Sequence, residues 1–562
     1  MSTKNKMLKK IAVIVAALVL GMSTFGCGGR EQEKEVNDSM TQLYVFIYDG
    51  GVAASGWLDA AIERFEAAYA NYSFEEGKVG VQVFPTEAKD ASWRSDALLS
   101  RMPTLREEVF FTEEINYYQY VAKEGILHNI TDLIEDPLNI AGDQRSIEAK
   151  MSDSQKNFYS VNGEYYALPY FEASLGMFYD KDLFYEKDLY FARNPVGDNP
   201  FVTKTNSEKS LGQDGLPGTE DDGLPVTYEE FYTLLRTMKY DKGITAPLSW
   251  PGNAQEYLVY LAAAMAYDQM GAEDAFRNVT FTGSTELLDG TYSEGYTSTT
   301  REITPRTGYE LAKQPAWLNA VEFYRDIVIN QDYYDPISLS SLYTHVDNQS
   351  DFLYSGYDDR KTGILVDGTY WESEATTIFN NMSDKPASSK AERNFGFMPY
   401  PRKTATSEPH VLTALFNATA FINGNIQPNK VEVAETFLKF CYTDASLSAF
   451  TQITSIPWAL QYEIDPNDWT KMSSYGKSLW EIRKESEIVY PYAPSAVFKY
   501  AGANATQPGS MFMHADESGN EISGSVMSQF TEKHWSAEQY FDAMFYARRE
   551  QWKEYERAGI FD

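Results

Sequence analysis

Residues 161–184 read VNGEYYALPYFEASLGMFYDKDLF. No other stretch restricts the architecture as much. Asn162-Gly163 is a two-residue hairpin signal, because both central positions of a type I′ turn need positive φ. Six aromatics follow between Tyr165 and Tyr179, with one proline and one carboxylate, Glu172, among them. A strand that is apolar on successive residues has no wet face. It must be covered on both sides, as in a layered α/β sheet. The polar run DKDLF then reads as the start of a helix.

The segments around it fit a layered sheet. TQLYVFIY, 41 to 48, reads as a strand ended by Asp49, Gly50 and Gly51. A helix follows with Leu58, Ile62, Phe65, Ala68 and Tyr69 at helical spacing. GVQVF, 80 to 84, alternates as a second strand, and EVFFTEE, 108 to 114, is a third. A βαβ opening implies parallel pairing. Residues 190–226 are rich in Gly, Pro and Asp and read as one long loop. Thr227 and Glu230 form a capping box that opens the next helix. Residues 254–267 are a strongly apolar helix, and 276–312 a strand-rich insertion. The helix beginning at Pro315 runs to Pro336. GILVDGTYWESEA reads as strand, turn and helix, NFGFMPYP as a strand, and 431–456 as one or two helices.

The chain has 562 residues, too many for a single core, so two or more lobes are expected. Its formal charge of −33 repels phosphate backbones, which argues against nucleic acid as a partner. Aromatics make up 15%, including 40 tyrosines. Part of that excess is packing, and part suggests a cleft that grips something flat and weakly polar. At the N-terminus, Lys4, Lys6, Lys9 and Lys10 precede the apolar run 11–22, which reads as a secretory signal too short to span a bilayer permanently. Cys27 follows in STFGCGG and is similar to the acylated cysteine of bacterial lipoproteins, with residues 28–40 as a polar tether. An ordinary cleaved signal with an incidental cysteine is the other reading. Cys441, the only other cysteine, lies in an apolar helical run and reads as a small buried hydrophobe.

The pattern GEYYALPYFEASLGMFYDKDLF resembles the central segment of bacterial extracellular solute-binding proteins of family 1. These are the sugar receptors of ABC importers, the kind that includes maltose-binding protein. VFFTEEINYYQYVAKEGILHNITDLI, TYEEFYTLLRTM, GILVDGTYWESE and the helix ending at Ile456-Pro457 resemble further segments of that family in the same order. The resemblance covers residues 41–465. It implies a two-lobed, periplasmic-binding-protein-like α/β fold of type II, with mostly parallel sheets flanked by helices and hinge strands crossing between lobes. The implied division is a leader at 1–26, a lipid-anchored tether at 27–40, a first lobe at 41–172 with 417–465, and a second at 173–416 with 466–562. It further implies a monomeric, lipid-anchored receptor on the extracytoplasmic face of the membrane. Such a receptor captures a carbohydrate, of oligosaccharide size, and delivers it to permease subunits without catalysis.

Sugar recognition needs flat aromatic faces and hydrogen-bonding carboxylates or amides, placed at the carboxyl ends of strands. The first-lobe candidates are Tyr48, Asp49, Trp57, Phe111, Glu113 and Glu114. Second-lobe candidates are Trp250, Asn253, Glu256, Tyr370, Trp371 and Glu372, and Trp458 follows Ile456-Pro457. Trp250, Trp371 and Trp458 rank first, since a loop tryptophan beside Gly or Pro is poorly explained by packing. Glu172 is either a hydroxyl acceptor in the cleft or the partner of an arginine or backbone N–H inside the hinge. In GQDGLPGTEDDG, Asp214, Glu220, Asp221 and Asp222 offer hard oxygen ligands for a structural Ca²⁺, against the alternative of a solvated acidic turn. No cofactor is required. Five scattered histidines and the lack of hydrolase or phosphate-loop motifs speak against catalysis, although two carboxylates would suffice for a glycosidase. A secreted carbohydrate-active enzyme and a receptor of the same fold for a peptide or another polar solute are the alternatives.

Overall fold

The computed structural model describes residues 34–562 apart from 49, 52–55, 91–92, 94, 114–117, 123 and 416–417. The leader, the tether up to residue 33 and Cys27 therefore lie outside the described residues, as do Asp49 and Glu114. Among the described residues no helix is long and apolar enough to cross a membrane.

Two sheets organise the chain. The first runs in the order Val81–Ala88, Thr41–Tyr48, Val109–Thr112, Thr419–Ile422, Leu168–Pro169. Its first three strands are parallel and its last two antiparallel. The second runs Ala246–Ser249, Thr362–Gly368, Leu175–Asp180, Phe395–Met398, parallel in its first pair and antiparallel thereafter. Each sheet is thus mixed rather than mostly parallel. The parallel strands come from βα units. The antiparallel ones include segments that enter from the other lobe and therefore run the opposite way.

Local chemistry explains the elements. Asn162 and Gly163 take φ of 58° and 84°, and the turn joins the antiparallel pair Ser160–Val161 and Glu164–Tyr165. The strand Leu175–Asp180 is buried at every position. Asp180 then caps the helix Lys181–Glu186, accepting from the backbone of Asp182 and Leu183. Helix Gly56–Ala68 buries Leu58, Ala61, Ile62 and Phe65 on one stripe. The long helix Glu256–Thr280 is interrupted at Gly271, whose φ of 78° and ψ of 160° leave the helical region. Residues 190–226 are not wholly irregular, since Phe191–Val196 and Asn199–Phe201 pair as a short hairpin. The helix from Pro315 stops at Ile329, earlier than Pro336.

Two large cores correspond to the two sheets. The crossing segments lie side by side between them. Leu415 N–H donates to the Ala173 carbonyl at 2.7 Å, Tyr170 N–H to Ala418 at 2.9 Å, and Glu172 N–H to Pro457 at 3.0 Å. The C-terminal part does not belong to one lobe. Met472, Trp480, Tyr490, Tyr492 and Phe498 pack in the first core, whereas Tyr475, Leu479, Met511 and Phe512 pack in the second. Residues 490–512 therefore form one more strap between the lobes. Cys441 is buried, and burial pushes its thiol up to about 12, well out of the reactive range.

Candidate functional site

Glu172 is only 6% exposed and is held inside the hinge. Its Oε1 accepts from Arg483 Nε, and its Oε2 accepts from the Tyr490 hydroxyl at 2.7 Å. Arg483 also donates to the Leu460 carbonyl at 3.1 Å. Burial alone would favour the neutral guanidine, but Glu172 outweighs it and raises the Arg483 pKa above its usual value. Of the two roles open to Glu172, the geometry is that of the hinge ion pair.

The favoured tryptophans lie elsewhere than expected. Trp250, Trp371 and Trp458 are fully buried. Trp371 is packed by Phe178, Phe352, Phe395 and Tyr475, with centroids 5.2–5.8 Å away. Trp250 lies against Tyr334 at 4.7 Å in the second core. Trp458 and Trp57 meet edge to face at 5.4 Å in the first core, with Phe111 beside them. None of these rings keeps a face for a ligand in this conformation. Trp371 and Trp458 follow Gly368 and Pro457, and Trp250 precedes Pro251, yet all three rings fold inward, so a neighbouring Gly or Pro did not mean cleft position.

Other candidates do come together. Tyr48 and Glu113 meet at Gly50, where an added Cβ would fall 2.9 Å from Glu113 Oε1 and 3.0 Å from Tyr48 Cε1. The next residue, Gly51, has a φ of 98° and would place a Cβ 3.1 Å from Glu374 Oε1 of the opposite lobe. Only glycine fits there easily, and the first-lobe strand ends thus abut the second lobe. Gln349 Nε2 bridges Glu374 Oε2, at 2.6 Å, and Asp367 Oδ2, at 3.1 Å. Burial pushes the Asp367 carboxyl well up, and the Glu374 charge adds to it. His345 stands 3.6 Å from Glu374 on its other side. Asn253 is exposed, and its N–H donates to the Tyr343 carbonyl at 3.0 Å. Glu372 is buried and accepts from Ser455 and Ser473 at 2.7 and 2.8 Å, tying the two lobes.

Beside these groups lies a cavity of ≈ 300 Å³. Its walls are Tyr257, Tyr260 and Ala264 of one helix, Tyr370, the crossing residues Leu175, Thr413 and Leu415, and Gln507 and Pro508 of the strap, with Glu256 also lining it. The Tyr257 and Tyr370 hydroxyls are 3.2 Å apart. Aromatic faces converging with a few polar groups at a lobe junction are the composition of a small-molecule site. Tyr257, Tyr260, Thr413 and Gln507 were not among the sequence candidates. The signal for the first two was present, since both fall on the non-alanine edge of an alanine-rich helix. A second cavity, ≈ 700 Å³, lies on the Arg483 side of the hinge and is lined by Arg145, Gln155, Tyr462, Trp480 and Lys484 among others. Tyr462, Trp480 and Tyr490 give it aromatic faces as well, set among the charged groups Arg145, Glu463, Arg483, Lys484 and Glu487.

The acidic loop is engaged by its own backbone. Asp221 Oδ2 accepts from the N–H groups of Gln213 and Asp214 at 2.6 and 3.2 Å. Asp222 accepts from Gly218 N–H at 2.6 Å, Asp214 from Leu216 N–H at 2.7 Å, and Glu220 from Lys181 at 2.6 Å. Among the described residues no three acidic, His or Cys groups converge as a metal site would require.

No protein-family model matches this chain, and no curated protein sequence is similar to it. Solved structures are. A chitin oligosaccharide binding protein superposes with a TM-score of 0.53 at 15% identity, over 92% of this chain and 100% of its own. The apo form of RafE from Streptococcus pneumoniae gives 0.51 at 13%, over 92% and 100%. Maltose-bound MalE3 of T. maritima gives 0.50 at 13%, over 91% and 100%. The chain has the two-lobed fold of these solute-binding proteins.

Proposed function

We propose that the protein is an extracytoplasmic solute receptor that captures a carbohydrate between its lobes and presents it to the permease of an ABC importer. The observation that carries this reading is the tyrosine-walled cavity at the crossing segments. Phenol rings pack on the C–H faces of pyranoses while their hydroxyls and the nearby Glu256 and Gln507 meet sugar hydroxyls. Closure around ligand would be a population shift, driven by contacts that form only when both lobes meet the sugar. The similar structures are themselves named for sugars, which supports the same class here. No cofactor is needed for such a role, and the receptor acts as a monomer.

A thermal-shift screen over mono- and oligosaccharides tests this, because a ligand bound only by the native state raises the melting temperature by mass action. Tyr257→Ala is expected to weaken the sugar found by about 2 kcal/mol, roughly thirtyfold, in calorimetry. A flat screen at millimolar sugar would remove the carbohydrate reading. A second reading draws on Asp367 and Glu374, two carboxylates bridged by Gln349, of which burial pushes Asp367 well above the ordinary carboxylate range, a combination that glycosidases use. The same screen decides it, since chromatography of the incubated sugars reveals turnover or its absence.

Anchorage is proposed through a lipid on Cys27. Cys27→Ser is expected to move the protein from the membrane fraction to the medium, or to the periplasm where the host has one. Immunoblots of fractionated cells check this, and unchanged membrane association would refute it.

A further inference from the structure

We propose that Glu372, Lys390 and Ser455 form a clasp that biases the two lobes toward each other before a ligand arrives, and so raises the affinity for every ligand of the cleft alike. The proposal rests on the reading above that ligand is captured by lobe closure, and it holds whatever that ligand is.

The short helix Trp371–Glu374 stands where the lobes meet. Tyr370 packs in the first core, whereas the next residue, Trp371, packs in the second. Glu372 follows and is 1% exposed. Its Oε2 accepts from Ser455 Oγ at 2.7 Å and from Ser473 Oγ at 2.8 Å, and Lys390 Nζ lies 3.2 Å from the same oxygen. Oε1 has no partner among the described residues, so Oε2 alone carries these contacts. Lys390 also donates to the Ile453 carbonyl at 3.2 Å. It belongs to the second lobe, since Met382 and Phe395 on either side of it pack in the second core. Ile453 and Ser455 belong to the first lobe, between Phe450 and Ile456 of the first core. Two side chains of the second lobe therefore hold two adjoining points at one helix end of the first.

That helix end is suited to the hold. Ser455 ends the helix Asp444–Thr454 with φ of 62°, a conformation in which glycine is the easy choice. Serine costs strain there and supplies the hydroxyl that reaches Glu372. The Ile453 carbonyl lies in the last turn, and the residue four further on is Pro457, which has no N–H to offer it. The Lys390 ammonium takes that place, and a cation is favoured at a helix C-terminus. A carboxylate withdrawn from water needs donors, and bonds to a charged group are the stronger ones. Ser455 comes within reach of Glu372 only while the lobes are together. An opening that draws them apart by about 1 Å ends the bond. The clasp thus favours the closed form through contacts that a ligand does not have to make.

Small-angle scattering of the free protein tests this without any ligand. Lys390→Met combined with Ser455→Gly removes both holds, and glycine suits the backbone at 455. This double variant is expected to have a larger radius of gyration than wild type, and Lys390→Arg alone to keep the wild-type curve. Lys390→Met alone alters a side chain that is 27% exposed, and it should shift the curve the same way if the double variant fails to fold. Calorimetry and stopped-flow mixing with maltose, cellobiose, xylobiose and chitobiose read the same equilibrium. For each of these that binds, the double variant is expected to raise Kd by one common factor, about tenfold, because apparent affinity scales with the competent fraction. Association should be faster, since the open form admits ligand. Superposable scattering curves for wild type and the folded variants would overturn the clasp. A Kd ratio that differs from sugar to sugar would make these side chains ligand contacts and overturn it as well. Silence from all four sugars would overturn the carbohydrate reading, and scattering would still decide the clasp.

Discussion

Trp458→Ala is expected to destabilise the protein by about 3–5 kcal/mol, the range for removing a large aromatic from a packed core. The ring is surrounded by aromatics, with Phe450, Tyr170, Tyr442 and Trp57 at centroid distances of 4.8, 4.9, 5.0 and 5.4 Å. Its indole N–H donates to the Pro169 carbonyl at 3.0 Å, and its backbone N–H to the Tyr462 hydroxyl at 2.9 Å. Truncation would leave a void lined by rigid rings that belong to three separate segments, so little collapse can fill it. The Pro169 carbonyl would also lose a partner. Urea unfolding followed by near-UV circular dichroism measures the effect as a lower midpoint at constant slope. The folded fraction should bind ligand as tightly as wild type. Near-normal stability with abolished binding would return Trp458 to the ligand site.

The tryptophans show where reading along the chain stops being informative. Signals carried within a few residues were legible. The Asn162-Gly163 turn, the Thr227–Glu230 capping box with its two reciprocal bonds, and the βαβ opening all appear in the structure. Each depends on backbone geometry that neighbouring residues determine. The short hairpin at Phe191–Val196 and Asn199–Phe201 was hidden because Pro195 and Pro200 read as loop residues, yet edge strands tolerate proline. Which side of a loop tryptophan meets a core depends on distant partners. The rings around Trp371 come from residues 178, 352, 395 and 475, and nothing near residue 371 announces them. The strap poses the same problem. Gln507 and Pro508 enter the cavity only because Phe498 and Phe512 root in different cores. The segments that carried the family resemblance end at residue 465, so the strap had no counterpart in it.

Arg402→Met is expected to cost about 3–5 kcal/mol at neutral pH, because it strands a buried carboxylate. Asp268 sits inside the long helix Glu256–Thr280 and is 1% exposed. Arg402 grips it with two bonds, Nε to Oδ2 at 2.7 Å and Nη2 to Oδ1 at 3.0 Å. His410 Nδ1 lies 2.9 Å from Oδ1, and Val411 N–H donates to the same oxygen at 2.8 Å. Arg402 also donates to the carbonyls of Glu408 and Pro409, so one guanidinium pins the return segment to the helix just before Thr413. Burial would raise the Asp268 pKa, but His410 and Arg402 together outweigh it and leave the carboxyl below its ordinary value. A depressed carboxyl stabilises the fold above its unfolded pKa of about 3.9, and that contribution is lost as pH falls through the folded value. Methionine keeps the unbranched apolar stem of the side chain and removes the charge, so Asp268 gains a proton more readily in the variant. The stability difference between wild type and variant should therefore be largest near pH 7 and shrink as the pH is taken down through 4. Chemical denaturation at a series of pH values measures it. A difference under about 1 kcal/mol, or one that does not change with pH, would mean that the ion pair contributes little and that packing alone holds the return segment to the helix.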